Sequence, residues 1–459
     1  MNIYLHLEIA ARELDSKILL GILAAARGHN VIISDINPIK DALINDALPP
    51  GIYHDKSLVP SIDLDLVYKE MQNKNILITS LDEESGLLDH GYENFAKHRF
   101  SQETINKSSA IFCWGSEDEK TLKNLYKTEF AKIFKTGSPR VDLWKSKFSK
   151  NWLLPKSAPT NPFLLVSSNL HMVNFNKPFH DWGGFKPFQL NEKISYFEND
   201  PDLFKKQFNK ISEDNLKLPA FVEAIHFLSK NHNGYDIVFR PHPLEDINTW
   251  KVYLRGLSNV HVLREDSLGP WINHAFAIMH NSCTSAIEAS ISGKQIITYV
   301  PFEQNYSWGE VANELGHRVK TLEELKHKVN SIFDNRNSQN ITKNELINET
   351  LLNKIYIDNK ELAAEKIIKI WEKIAKEKNL KSYDLDKFKI LTKKVKLKNF
   401  LKKYFSLSQV KNKNINKKNF SINSKFINEK IQGIQKVLKI DQKIEYKLLL
   451  DSTILIKKK

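Results

Sequence analysis

The chain has 459 residues, 41% apolar and 10% aromatic, with a formal net charge of +14; this excludes a collagen-like or wholly disordered polypeptide. Its two cysteines, Cys113 and Cys283, exclude a disulfide framework or a cysteine metal quartet. The charge is uneven: residues 381–459 hold 22 Lys, no Arg and six acidic residues, a net of +16, leaving a net of −2 for residues 1–380, so nucleic-acid binding is not expected of the body and the basic tail needs its own explanation.

The first 35 residues read as strand, helix, strand. Ile3–Leu7 is a short apolar run, and Arg12 to Arg27 has helical periodicity through Leu14, Ile18, Leu19, Ile22 and Leu23. Gly28 ends it, and Val31–Asp35 is the next strand. Strands are expected again at Asn75–Thr79, Ala110–Trp114 and Lys132–Thr136, with helical stretches between them. The polar, proline-containing stretch Ser146 to Pro162 breaks the pattern. It restarts with strand Phe163–Ser167, helix Leu218–Lys230 and strand Asp236–Arg240. Strand Val260–Leu263, helix Leu268–His274, strand Ala275–Met279, helix Thr284–Ser292 and strand Gln295–Val300 follow. Residues 173–215 read as an insertion, and residues 345–378 as one or two amphipathic helices.

Strands alternating with helices imply parallel sheets covered on both faces. About 380 residues exceed one core. The expected fold is therefore α/β of the GT-B plan: two Rossmann-like domains facing a cleft, plus a Lys-rich C-terminal extension. The expected boundaries are 1–150, 160–340, closing helices at 341–380 and the basic tail at 381–459. Met1–Glu8 has no basic n-region, and the longest apolar run, Ile18 to Ala26, is too short to span a bilayer. A cytoplasmic protein is expected. Apolar residues interleave with Lys in Val395–Phe405 and Phe426–Ile440, as in interfacial helices, so the tail is expected either to hold the protein at an anionic inner-membrane face or to be a solvated extension.

Ligands in such sheets bind beyond the carboxyl ends of strands, and three motifs sit there. Arg240-Pro241-His242-Pro243 follows the strand Ile237-Val238-Phe239; the prolines stiffen the turn, and Arg240 and His242 can reach a phosphate. The alternative is a rigid turn in which His242 caps a neighbouring carbonyl. His280-Asn281-Ser282-Cys283-Thr284-Ser285 opens a helix that continues through Glu288, and hydroxyls with free N–H groups suit an anion. Plain N-capping by Ser282 or Thr284 is the competing reading. The two motifs lie about 40 residues apart, the spacing of neighbouring strand ends in a sheet of this kind. Leu81-Asp82-Glu83-Glu84 follows the third strand and is either a source of a general base or nucleophile or a solvated acidic turn. Glu8, Arg12, Glu13 and Asp15 either line the same cleft or form an exposed first helical turn. There is no Walker A, Gly-x-Gly-x-x-Gly or Gly-x-Ser-x-Gly motif, and no His/Cys metal spacing.

The ordered set resembles the bacterial surface carbohydrate biosynthesis protein family of glycosyltransferases over about residues 1–325. The matching pieces are Glu8, Ala11-Arg12-Glu13-Leu14-Asp15, Leu81-Asp82-Glu83-Glu84, Phe112-Cys113-Trp114-Gly115 and Thr136-Gly137-Ser138-Pro139-Arg140-Val141-Asp142. In the second half they are Phe239-Arg240-Pro241-His242-Pro243, Pro270-Trp271-Ile272 and His280 through Ala289. More distantly the chain is similar to CDP-glycerol glycerophosphotransferases and CMP-Kdo capsule transferases. The resemblance implies a metal-independent glycosyltransferase of surface polysaccharide synthesis with no cofactor. It implies a nucleotide-activated donor of a sugar or polyol phosphate, cytidine-linked in the relatives, and a glycan or lipid-linked acceptor. It assigns Arg240, His242, Ser282, Thr284, Ser285 and Glu288 to the donor phosphate, with His242 also catalytic. Asp82, Glu83 and Glu84 become candidate catalytic carboxylates, and Glu8, Arg12 and Arg140 candidates lining the cleft. A UDP-sugar 2-epimerase-like enzyme on the same fold, or a non-catalytic polysaccharide-assembly protein, are the rival expectations.

Overall fold

A computed structural model describes residues 1–87, 92–126, 132–174, 201–232, 234–265, 267–303, 310–336, 349–383, 385, 424–450 and 453–459. It divides into two compact units, Met1–Asn151 with Leu352–Lys459, and Trp152–Leu351.

The first unit is built on β1 (Asn2–His6), β2 (Asn30–Ser34), β3 (Ile52–Asp55), β4 (Leu77–Leu81), β5 (Ala110–Cys113) and β6 (Ile133–Lys135). These are parallel, in the order β2-β1-β3-β4-β5-β6. The second unit carries β7 (Phe163–Ser167), β8 (Asp236–Arg240), β9 (Val260–Val262), β10 (Ala277–His280), β11 (Gln295–Tyr299) and β12 (His317–Val319). They are parallel in the order β12-β11-β10-β7-β8-β9. The expected α/β class with two parallel-stranded sheets is thus what the chain adopts. The central strands β1, β4, β5 and β7 are buried at every position, which their mostly apolar sequences allow between two helical layers.

The basic end of the chain departs from expectation. Helix Ser424–Leu438 turns Ile427, Ile431 and Ile434 inward and packs against the first helix, Ala10–Ala26. The apolar positions read as a membrane face are therefore occupied by the protein's own core. After it, β13 (Ile444–Leu450) and β14 (Thr453–Lys458) form an antiparallel hairpin, and β14 pairs antiparallel with β2. Ile454 and Ile456 are fully buried there. Gly21 makes this possible: a Cβ at that position would stand 2.8 Å from Ile456 Cδ1. Helix Ala363–Glu377, with Ile367, Ile368, Trp371 and Ile374 buried, also packs against the first helix. Its Trp371 indole N–H donates to the Thr79 hydroxyl at 3.1 Å. The segment Val395–Phe405 and residues 175–200 of the expected insertion lie outside the described residues. The rest of that insertion is the front of one long helix, Pro201–Lys230, with Pro219 inside it. No described helix is long and apolar enough to cross a membrane.

Candidate functional site

In the first unit the acidic turn leaves the carboxyl end of β4, and its three carboxylates have different surroundings. Glu83 is buried and accepts from Lys17 Nζ at 2.7 Å. Burial alone would raise its pKa, but Lys17 and Arg140 outweigh it and hold the carboxyl below its ordinary value. Glu84 is gripped by Arg12 at 2.7 Å and Arg99 at 2.9 Å. Asp82 accepts the Glu84 backbone N–H at 2.9 Å through one oxygen; the other is buried and has no hydrogen-bond partner. Burial pushes this carboxyl up to about 6, against the pull of Arg99, whose Nε is 3.9 Å away. Read as a solvated acidic turn, this segment is misjudged, because Asp82 and Glu83 are both inside the fold.

The neighbouring motif residues fix this turn. Arg140 Nη1 donates to the Glu83 carbonyl at 2.6 Å, with its guanidinium over the rings of Trp114 and Trp144. The Trp114 indole N–H donates to the Asp82 carbonyl at 2.7 Å. Gly86 leaves room for that ring, since a Cβ there would meet Trp114 Cε3 at 2.4 Å. Arg12 also pairs with buried Glu13, Glu8 pairs with Lys56, and Asp15 pairs with Lys430. The segment after β1 is therefore tied into ion pairs rather than being a free helical turn.

In the second unit the His-Pro turn follows β8 directly. Buried Glu245 holds it, accepting from the His242 backbone N–H at 3.1 Å, the Leu170 N–H at 3.0 Å, the Ser168 hydroxyl and the Trp250 indole at 2.7 Å. Arg264 braces the other side by donating to the His242 carbonyl at 3.2 Å. His242 lies 5.1 Å, ring to ring, from His171. Burial, with help from His171, Arg264 and Lys210, lowers its pKa to about 3, so it is neutral at pH 7. The Leu244 backbone N–H donates to its Nδ1 at 3.2 Å, so the neutral ring carries its proton on Nε2. His242 therefore offers a hydrogen-bond donor and no charge, and its ring nitrogen accepts a backbone N–H where a capped carbonyl was the alternative. Arg240 lies over Trp271 and donates to the Glu265 carbonyl.

The hydroxyl-rich motif follows β10. Ser282 has φ 54°, the left-handed region, at a cost of about 1–3 kcal/mol for a non-glycine residue. Its backbone N–H donates to Asn313 Oδ1 at 2.7 Å, its hydroxyl to Asn281 Oδ1 at 2.8 Å, and Lys217 Nζ is 3.4 Å from that hydroxyl. The helix spans Ser285–Ile291, and its N-cap residue Thr284 makes no side-chain cap bond, so plain N-capping does not account for the motif. Thr284 is exposed, Ser285 donates its hydroxyl to Cys283 Sγ at 3.1 Å, and Glu288 is half-buried.

The two motifs are not on adjacent strands as the spacing suggested, because β7 lies between β8 and β10. The loop after β7 joins them instead: Asn169 Nδ2 donates to the Ser282 carbonyl at 3.0 Å, Asn169 Oδ1 is 3.2 Å from His171 Nδ1, and His171 lies against His242. Asn169, His171, Lys217, Glu245 and Asn313 escaped the sequence reading, as did His6, Lys17, Asp55 and Arg99 in the first unit. Only their partners, distant in sequence, single them out. Among the described residues, no group of three or more His, Cys, Asp or Glu is placed to hold a metal ion.

No family model matches the chain, and no curated protein matches it in sequence. Among solved structures it is similar to a UDP-GlcNAc 2-epimerase from Neisseria meningitidis bound to UDP-GlcNAc, at 12% identity over 81% of this chain and all of that one, with a TM-score of 0.47. A glycosyltransferase from Rickettsia africae gives 12% identity, coverage of 82% and 98%, and a TM-score of 0.41. The wall teichoic acid polymerase TagF gives 10%, coverage of 83% and 90%, and 0.41. All three scores fall below one half, so the functional reading rests on the residues themselves.

Proposed function

We propose that the protein is a glycosyltransferase of surface polysaccharide synthesis. It takes a nucleotide-activated sugar or polyol phosphate at the strand ends of the second unit and a glycan or lipid-linked acceptor at those of the first. The observation that carries this reading is the run Ser282–Asn169–His171–His242, which draws the hydroxyl-rich turn and the His-Pro turn together beyond β7, β8 and β10. A neutral Nε2–H, a hydroxyl in a strained turn with a lysine behind it and a nearby arginine are suitable donors for phosphate oxygens. Donors fixed in advance stabilise the charge that grows on the phosphate as the nucleotide leaves. In the first unit Asp82 and Glu83 each keep one buried carboxylate oxygen without a hydrogen-bond partner, and Asp82 is the one whose pKa burial raises.

The test is mass spectrometry of purified protein with CMP-, CDP- and UDP-sugars, with and without undecaprenyl-phosphate-linked glycan as acceptor. Acceptor-dependent nucleotide release is expected, with His242→Ala lowering it at least about a hundredfold while the circular-dichroism spectrum is unchanged. An isomerised sugar formed without acceptor would replace transfer by epimerisation. No nucleotide bound in any arm would make the protein a non-catalytic assembly component.

A further inference from the structure

The strand ends of β1 and β3 bring together two residues that none of the sequence motifs contains. His6 Nδ1 lies 2.7 Å from Asp55 Oδ1, and both side chains are 2% exposed. Asp55 is saturated with donors: its Oδ2 accepts the Tyr68 hydroxyl at 2.7 Å and the Tyr53 hydroxyl at 3.0 Å, its Oδ1 accepts the Lys56 backbone N–H at 2.8 Å, and Lys40 Nζ is 3.5 Å away. Burial opposes ionisation, but the His6 hydrogen bond, with Lys40 and the Tyr68 hydroxyl, holds the carboxyl well below its ordinary value. An ionised carboxylate can only accept, so the bridging proton sits on His6 Nδ1, and in the neutral ring Nε2 keeps its lone pair. Nε2 is buried and has no hydrogen-bond partner. His6 is also one of the residues lining a cavity of about 480 Å³, together with Glu8, Lys40, Arg99 and the apolar Val59 and Leu64. A buried imidazole nitrogen without a partner costs free energy unless something fills the place beside it. The cavity has the size of a small-molecule site, and charged side chains of both signs on its wall supply donors and acceptors for the hydroxyls of a sugar.

We infer that His6 is the general base of this protein, oriented by Asp55, and that the cavity beside it takes a sugar hydroxyl of the acceptor. The inference rests on the proposed transfer reaction. The acceptor O–H gives its proton to His6 Nε2. The freed oxygen pair forms the new bond to the donor carbon, the bond from that carbon to the phosphate oxygen breaks, and its electron pair departs with the nucleotide. The imidazolium is balanced by Asp55 and returns its proton to solvent. This assigns the base to β1 and β3, and leaves the acidic turn after β4 to hold Arg12, Lys17 and Arg99 in position.

The experiment compares wild type with His6→Asn, whose amide nitrogen can still donate to Asp55 but which has no basic nitrogen. Nucleotide release from CMP-, CDP- and UDP-sugars is followed from pH 5 to 9 with the same acceptor. In parallel, 15N-histidine NMR of the wild-type chain reads the His6 tautomer, and thermal shifts with CMP and UDP read nucleotide binding. The inference expects an Nδ1–H tautomer, a wild-type rate that climbs with pH to a plateau, and a loss of about 100- to 10,000-fold in His6→Asn. The pH limb disappears in the variant while nucleotide thermal shifts are kept. Release by His6→Asn within about twofold of wild type, or a proton on Nε2 in the apo chain, overturns it and leaves the transferase reading standing. A wild type that releases no nucleotide in any arm overturns the transferase reading itself, and with it this role for His6.

Discussion

The strand-end sites of the two units are held by different physics. In the first, Arg12, Lys17, Arg99 and Arg140 face Glu13, Asp82, Glu83 and Glu84, and most members are fixed by ion pairs of 2.7–2.9 Å. In the second, the turn residues themselves are neutral: an imidazole kept uncharged by burial, a hydroxyl on a strained turn, and carboxamides that link them. A paired charge is an anchor, since using it elsewhere first breaks a bond already made. A neutral donor in a rigid turn can donate to a phosphate oxygen without first breaking an ion pair. The ion-pair network is therefore the frame of its unit, and the atom it leaves unpartnered at the end of β1 is His6 Nε2.

Three measurements test this contrast. The largest effect is expected for Lys17→Met, which leaves buried Glu83 without the cation that hydrogen-bonds it. It should lower the stability of the first unit by about 3–5 kcal/mol in urea unfolding, and the double variant Lys17→Met/Glu83→Gln should recover a good part of the loss. If the single variant is as stable as wild type, the pairs are not the frame. Next is Glu245→Gln, which is nearly isosteric but puts a donor where several N–H and O–H groups already point. A loss of about 1–3 kcal/mol is expected, together with weaker nucleotide thermal shifts as the His242 turn loosens. Unchanged shifts would separate Glu245 from the site.

The smallest effect is on pH dependence, where single groups of the two units pull in opposite directions. His242 and His280 both have pKa values lowered by burial to about 3. On unfolding they take up protons between pH 6.5 and about 3, so their contribution falls as the solution is acidified through that window. Asp82 is raised to about 6, so the folded state holds a proton that the unfolded state releases, and its contribution is lost as pH rises from about 4 to 6. Hydrogen exchange resolved by unit should show His280→Asn flattening the acid loss in the second, and Asp82→Asn removing the opposite slope in the first. Identical slopes in wild type and variants would remove these groups from the account.

Strands β7 and β8 are legible in the sequence residue for residue, because each is an apolar run bounded by turn residues. Strand β3 is not, because its four residues, Ile52-Tyr53-His54-Asp55, carry as many polar as apolar groups. That strand is central and fully buried, so periodicity has nothing to register, yet it delivers Asp55 to His6. The hairpin β13–β14 was hidden for another reason: Lys-rich composition read as a solvated tail, while alternate residues such as Ile454 and Ile456 were core positions. The His-Pro and hydroxyl-rich motifs were legible as chemistry. Their link through Asn169 and His171 was not, since it depends on β7 inserting between two strands that follow it in sequence.

The pairing of β14 with β2 also sets an order of events during synthesis. Strand β2 is complete by residue 34, and its partner arrives only with residue 453. At typical elongation rates that is a wait of roughly 20–80 s, during which one edge of the first sheet stands open to other chains. The second unit, Trp152–Leu351, is contiguous and emerges whole in the interval. It can finish folding on the ribosome, while the unit begun first is sealed last, and a nascent chain cut short before its final hairpin would expose an edge prone to aggregation.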